Sequence, residues 1–286
     1  MNLSSLTTAL DSEFKIAENK ENLVEWAVTE ETEDFINPEF LKHHSGLMLQ
    51  ASDSIDRVFT SVFISDCVVE KMMHESNSFL FTHHQFNYYE DERGLQAISP
   101  DTFDKLLDNG ISIYVAHAPL DTHPQYGTSI SLAKFTGVSI ENMFYDYFGA
   151  PTALIGHILK SEFADYSAKI MNDLNRPCLT LQQHSPYVEK IAVVAGGGDE
   201  PDILRYAYES GCDTMLTGTV EHRWAAPSVQ EKNKLFHELN KELKLNLIGG
   251  THYGTERPAM IRILDLFKNL GIKCEYCEDG KLLNAE

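Results

Sequence analysis

Short apolar runs alternate with amphipathic stretches along this chain, and several of the runs end in imidazole or carboxylate groups. Asn77-Ser78-Phe79-Leu80-Phe81-Thr82 leads into His83-His84-Gln85. Ile111 to Ala116 is followed by His117-Ala118-Pro119-Leu120-Asp121. Leu245 to Ile248 is followed by Gly249-Gly250-Thr251-His252-Tyr253-Gly254-Thr255-Glu256. Runs of this length, bounded by turn formers, predict buried strands. Arg57 to Ser65, Ile191 to Ala195 and Asp213 to Leu216 predict three more.

Between them lie helical patterns. Val68, Val69, Met72 and Met73 fall at helical spacing within Asp66 to Glu75. Ser99-Pro100-Asp101 combines a capping hydroxyl with proline at the first helical position, and Asn109-Gly110 supplies a left-handed stop. Thr128 to Phe135, Phe163 to Leu174 and a stretch around Gln230 to Leu243 read as helices. Another is opened by Asp199-Glu200-Pro201, after a tight Gly196-Gly197-Gly198 turn. Met260, Ile263, Leu264, Phe267 and Leu270 make the apolar stripe of the last helix. This alternation predicts an α/β fold.

Ligands of open α/β sheets gather at the carboxyl ends of the strands. Three strand ends here deliver His83, His84, His117, Asp121, His252 and Glu256, a set that suits a two-metal site. Two divalent ions about 3.5–4 Å apart need a shared anion between them, and Asp121 and Glu256 are the available carboxylates. Mixed imidazole and carboxylate donors suit zinc, iron, manganese or nickel rather than calcium. His252 and Glu256 sit one helical turn apart if helical. Pro258 favours a later start, with His252 on the loop and Glu256 in the first turn. His43-His44 follows no predicted strand and is left as a surface or supporting pair.

Composition narrows the setting. The 286 residues are 43% hydrophobic, enough for one large domain or two ordinary ones. A formal charge of −20 disfavours direct nucleic-acid or anionic-membrane binding. No long apolar segment or export signal stands out, so the expected location is cytoplasmic. Five cysteines in that setting argue for reduced thiols. Cys274-Glu275-Tyr276-Cys277 has the spacing of half a zinc site or a redox pair; with no second such motif, a C-terminal strand with two buried thiols is the better reading.

Thr82-His83-His84, Ala116-His117-Ala118-Pro119-Leu120-Asp121, Thr217-Gly218 and Gly250-Thr251-His252-Tyr253-Gly254-Thr255-Glu256 together resemble the Nif-three-like dinuclear metal-centre family, the GTP cyclohydrolase I type 2 homologues. The last segment is close to the family's G-H-Y-x-T-E, with Thr251 inserted after Gly250. The resemblance implies two interlinked α/β lobes with mixed sheets: a metal-site lobe from 1–135 plus 245–286, and a second α/β lobe from 136–244. It implies metal ligands at His83, His84, Asp121, His252 and Glu256, two divalent ions per subunit, and a homo-hexamer. His117 follows as an extra ligand or a catalytic proton carrier, and His222 resembles a family histidine after the T-G turn. One departure concerns the family's Trp-Asp-Asn-x-Gly-Leu, which reads Lys42-His43-His44-Ser45-Gly46-Leu47 here, without carboxylate or amide. Another is Gln85-Phe86-Asn87, which stands where many members have proline or glycine.

The first functional expectation is a metal-dependent hydrolase acting on a small nucleotide-like or phosphoester substrate. The alternative is a non-enzymatic metal-binding, metal-delivery or regulatory scaffold. A third reading leaves the histidines structural.

Overall fold

The buried runs form strands and the amphipathic stretches form helices in the computed structural model, which describes residues 1–21 and 28–285. The first third of the chain carries α1 (Leu3–Glu13), α2 (Pro38–His43), β1 (Gly46–Leu49), β2 (Arg57–Ser61), α3 (Asp66–Met72), β3 (Ser78–Thr82), β4 (Asn87–Tyr89) and β5 (Gly94–Gln96). The middle carries α4 (Pro100–Asp108), β6 (Ser112–Val115), α5 (Ala118–Asp121), α6 (Thr128–Thr136), β7 (Ser139–Tyr147), β8 (Ala150–Glu162), α7 (Phe163–Asp173) and β9 (Thr180–Gln182). The remainder carries β10 (Tyr187–Val194), α8 (Pro201–Glu209), β11 (Thr214–Thr217), α9 (Pro227–Leu243), β12 (Asn246–Gly249), α10 (His252–Arg262), α11 (Leu264–Asn269), β13 (Cys274–Tyr276) and α12 (Gly280–Leu283). The fold is mixed α/β with mixed sheets.

Two compact units emerge, each assembled from separated pieces of chain. Unit 1 comprises Met1–Tyr89, Leu95–His123 and Met260–Lys281. Its five-stranded sheet runs β1-β6-β3-β2-β13. All neighbours are parallel except β1, which is antiparallel to β6. Every residue of β3 and β6 is buried, as expected for central parallel strands covered on both faces. Ser61, Thr82 and Val115 end their strands abreast, so the segments that follow leave from one edge. Helices α3 and α4 cover one face, packing Val68, Met72, Phe103 and Leu106 against Leu80, Ile113 and Val115. Full burial of such side chains is worth about 1.5–3 kcal/mol each. The start of α4 follows the sequence reading, with Ser99 Oγ accepting the Thr102 N–H at 3.3 Å. Gly110, at φ +67°, terminates the same segment.

Unit 2 comprises Glu90–Gly94, Pro124–Ala259 and Leu282–Glu286. Its sheet runs β7-β8-β10-β11-β12-β9, with β10, β11 and β12 parallel and the flanking strands antiparallel. Alternate residues of β10 serve opposite faces. Ile191 and Val193 meet α6 and α7 through Leu132, Phe163 and Ile170, while Ala192 and Val194 meet α8 and α9 through Leu204 and Phe236. Val194, Thr217 and Gly249 end their strands abreast.

Four differences from the sequence reading have physical reasons. The long β7–β8 hairpin was not anticipated; much of it is exposed, and it lacks a continuous apolar run. Segments 124–135 and 245–259 lie in unit 2 rather than with the first lobe, because α6 packs on the unit 2 sheet and β12 pairs with β11. β2 stops at Ser61, four residues early, and Ser65 then caps α3. α10 begins at His252 and carries Pro258 within it, so the proline does not mark the first turn. The C-terminal Cys274 to Tyr276 is strand β13, followed by buried Cys277, and the thiols are free. Among the described residues no helix is long and apolar enough to cross a membrane.

Candidate metal centre

In unit 1, β3 and β6 are parallel neighbours, so His83 and His117 leave from adjacent strand ends. Nitrogens of His83, His84 and His117 lie within 4.8 Å of one another. The main chain fixes the first ring, whose Nδ1–H donates to the Ala116 carbonyl at 3.0 Å. Its Nε2 stands 3.4 Å from Asp121 Oδ1. The second ring stacks on Phe63, centroids 4.5 Å apart and planes within 9°, and packs against Phe86. α5 places His117 and Asp121 one turn apart, with the Asp121 N–H donating to the His117 carbonyl at 3.0 Å. His83 and His84 are buried, and His117 is 8% exposed.

Glu21 completes this group, and sequence reasoning missed it. Its carboxylate accepts a hydrogen bond from His117 Nδ1–H and, through Oε2, from the Ala118 N–H at 3.1 Å. Burial alone would raise this carboxyl. The charge and hydrogen bond of His117, the Ala118 N–H and the charge of His83 outweigh it and hold the group below its ordinary value. The partners lie 96 residues apart, so no local pattern announces the contact.

In unit 2, His252 and Glu256 lie on one face of α10, with Nε2 and Oε1 3.0 Å apart. The helix start is held by Thr251, whose Oγ1 accepts the Gly254 N–H at 3.1 Å. Thr251 itself sits at φ +65°, a conformation β-branched residues rarely adopt. Thr255 Oγ1 donates to the Thr251 carbonyl at 2.9 Å and accepts the Gly196 N–H at 3.0 Å, fastening α10 to the loop after β10. At Gly196, φ +71°, a Cβ would run into the Glu256 carboxylate and lie 3.1 Å from His252 Nε2. Only glycine leaves room for that pair.

These donors fit a divalent cation. Hydrogen bonds at Nδ1 of His83 and His117 hold two of the three clustered rings in place. Three imidazoles clustered in a buried site can share a proton or a metal. Nitrogen donors beside carboxylate oxygens match the preference of borderline transition metals.

The sequence profile of Duf34/NIF3 (NGG1p interacting factor 3) matches residues 28–278, most of the chain. The chain belongs to the Duf34/NIF3 family. A GTP cyclohydrolase 1 type 2 homolog of Haemophilus influenzae is 28% identical over 236 residues, covering 81% of this chain and 88% of the relative. Among solved structures, protein ybgI superimposes with a TM-score of 0.69 at 19% identity, covering 96% of this chain and 97% of its own. TTHA1606 from Thermus thermophilus superimposes with a TM-score of 0.68 at 19% identity, covering 98% of both chains. At that identity the likeness speaks for the fold.

Other groups flagged in this Duf34/NIF3 sequence are accounted for locally. His222 Nε2 lies 3.1 Å from Asp199 Oδ1, a buried carboxylate that also takes a hydrogen bond from Asn233 at 3.2 Å. The Gly196 to Gly198 segment is a tight turn, with the Gly198 N–H on the Gly196 carbonyl at 3.1 Å. His44 occupies a left-handed position, φ 53°.

Proposed function

We propose that the protein is a dinuclear metal-dependent hydrolase, with His83, His84, Asp121, His252 and Glu256 holding the ions. The observation that carries this reading is the convergence of the His83, His84 and His117 nitrogens with two of the rings already oriented. When bound, a pair of divalent ions would acidify water and polarise the atom under attack. Glu256, beside His252 at 3.0 Å, and Asp121, beside His83 at 3.4 Å, supply the negative charge that two neighbouring cations require. His117 is the proton carrier of the proposal: Glu21 occupies Nδ1–H, so Nε2 takes or returns the proton. The GTP cyclohydrolase name of the relatives points to a nucleotide-like or phosphoester substrate.

Elemental analysis of tag-free protein, with turnover across nucleoside triphosphates and phosphodiesters, tests the proposal. Two transition-metal equivalents per chain and a turnover lost in Asp121→Ala are expected. Tight metal binding with no turnover on the whole panel would replace it with the metal-binding scaffold reading. Less than one equivalent, unchanged by added metal, would end both.

A further inference from the structure

We propose that Glu21 is the positioning residue of α5, setting His117 and Asp121 in place together for the metal centre of the preceding section, on which this inference rests. The two carboxylate oxygens divide the task. One receives His117 Nδ1–H, which fixes the tautomer of a ring whose centroid lies 4.9 Å from that of His83 and 4.7 Å from that of His84. The other receives the Ala118 N–H, the first free donor of α5. His117 stands at the N-cap of that helix and makes no side-chain capping bond of its own, so Glu21 supplies the cap from outside. Because α5 has a single turn, fixing its start also fixes Asp121 at its end.

The segment bearing Glu21 is itself anchored. The Glu21 N–H donates to Asn19 Oδ1 at 3.3 Å, while Asn19 Nδ2 donates to the His43 carbonyl at 2.7 Å and to Ser45 Oγ at 3.4 Å. Asp121, at the end of the turn that Glu21 caps, is one of the proposed ligands, and removing a partner that orients a ligand costs about 10–100-fold in metal affinity.

The test uses zinc as the probe and the full chain, comparing wild type with Glu21→Ala and Glu21→Gln. Competition against a chromophoric chelator gives affinity, and ring-nitrogen NMR of the metal-free protein gives the His117 tautomer. Glu21→Ala is expected to weaken zinc binding about 10–100-fold and to release His117 from its Nδ1–H form. Glu21→Gln removes the charge and keeps one carbonyl acceptor, so only one of the two donors stays satisfied, and it is expected to lose about tenfold. A lowered thermal midpoint with zinc affinity and tautomer unchanged would overturn the proposal, leaving Glu21 as a helix cap alone. If Glu21→Ala does not fold, unchanged zinc affinity in Glu21→Gln overturns it equally. Wild-type protein that takes no zinc would sink the metal reading, while a His117 tautomer that ignores Glu21 would sink this inference by itself.

Discussion

Replacing Gly196 with alanine combines two penalties that other glycines of unit 2 separate. Gly197 has open space within 4 Å of an added Cβ and no positive φ. Gly211 has the same open space but sits at φ +79°. Gly196 has φ +71° and the Glu256 carboxylate in the way. Gly197→Ala should therefore stay within about 0.5 kcal/mol of wild type. Gly211→Ala should lose about 1–2 kcal/mol, the cost of a left-handed alanine. Gly196→Ala incurs that same backbone cost and must also push Glu256 off its 3.0 Å contact with His252. Disturbing a buried charged hydrogen bond adds about 1–3 kcal/mol, for a total near 2–5 kcal/mol. Urea denaturation of the three variants measures the series, and zinc competition shows whether Glu256 has moved. Gly196→Ala alone should lose zinc affinity. Equal destabilisation of the Gly196 and Gly211 variants, with zinc binding intact in both, would refute the steric argument.

Two further expectations come from unit 2. Burial would raise the Asp199 carboxyl, but the hydrogen bond and charge of His222, the charge of Lys232 and the Asn233 amide hold it below its ordinary value. A depressed folded pKa gives stability that is present above the unfolded value and lost as the pH falls through the folded one, here below about pH 4. Asp199→Asn should flatten the acid limb of a stability–pH curve, and an unchanged limb counts against the assignment. Thr251→Asn keeps a capping acceptor for Gly254 and suits φ +65°, so it should raise the urea midpoint by the equivalent of about 0.5–1 kcal/mol; a lower midpoint would mean that Thr251 is not strained.

The parts of the fold legible in the sequence are those whose signals are local. β3 and β6 are fully buried and read as unbroken apolar runs. α4 carries its own start and stop in Ser99-Pro100 and Asn109-Gly110. The histidines of unit 1 were legible because each follows such a run. β7 and β8 were not, since their burial changes along their length and Leu159 is 94% exposed. Pro258 misled because helix α10 tolerates it in its interior. Glu21 was invisible for another reason: its role is defined by a turn on the far side of the sheet sequence, and a lone acid before an unremarkable stretch has no pattern.

The pairing of β13 with β2 has a consequence for how the protein is made. Val58, Phe59 and Thr60 wait for Cys274, Glu275 and Tyr276, which are made long after them. Thr60 also waits for the Met260 carbonyl, 200 residues downstream. Such distant closure is slow, because loop entropy is lost before the contacts form. The nascent chain therefore carries His83, His84 and His117 on a sheet whose β2 flank stays open until β13 has been made.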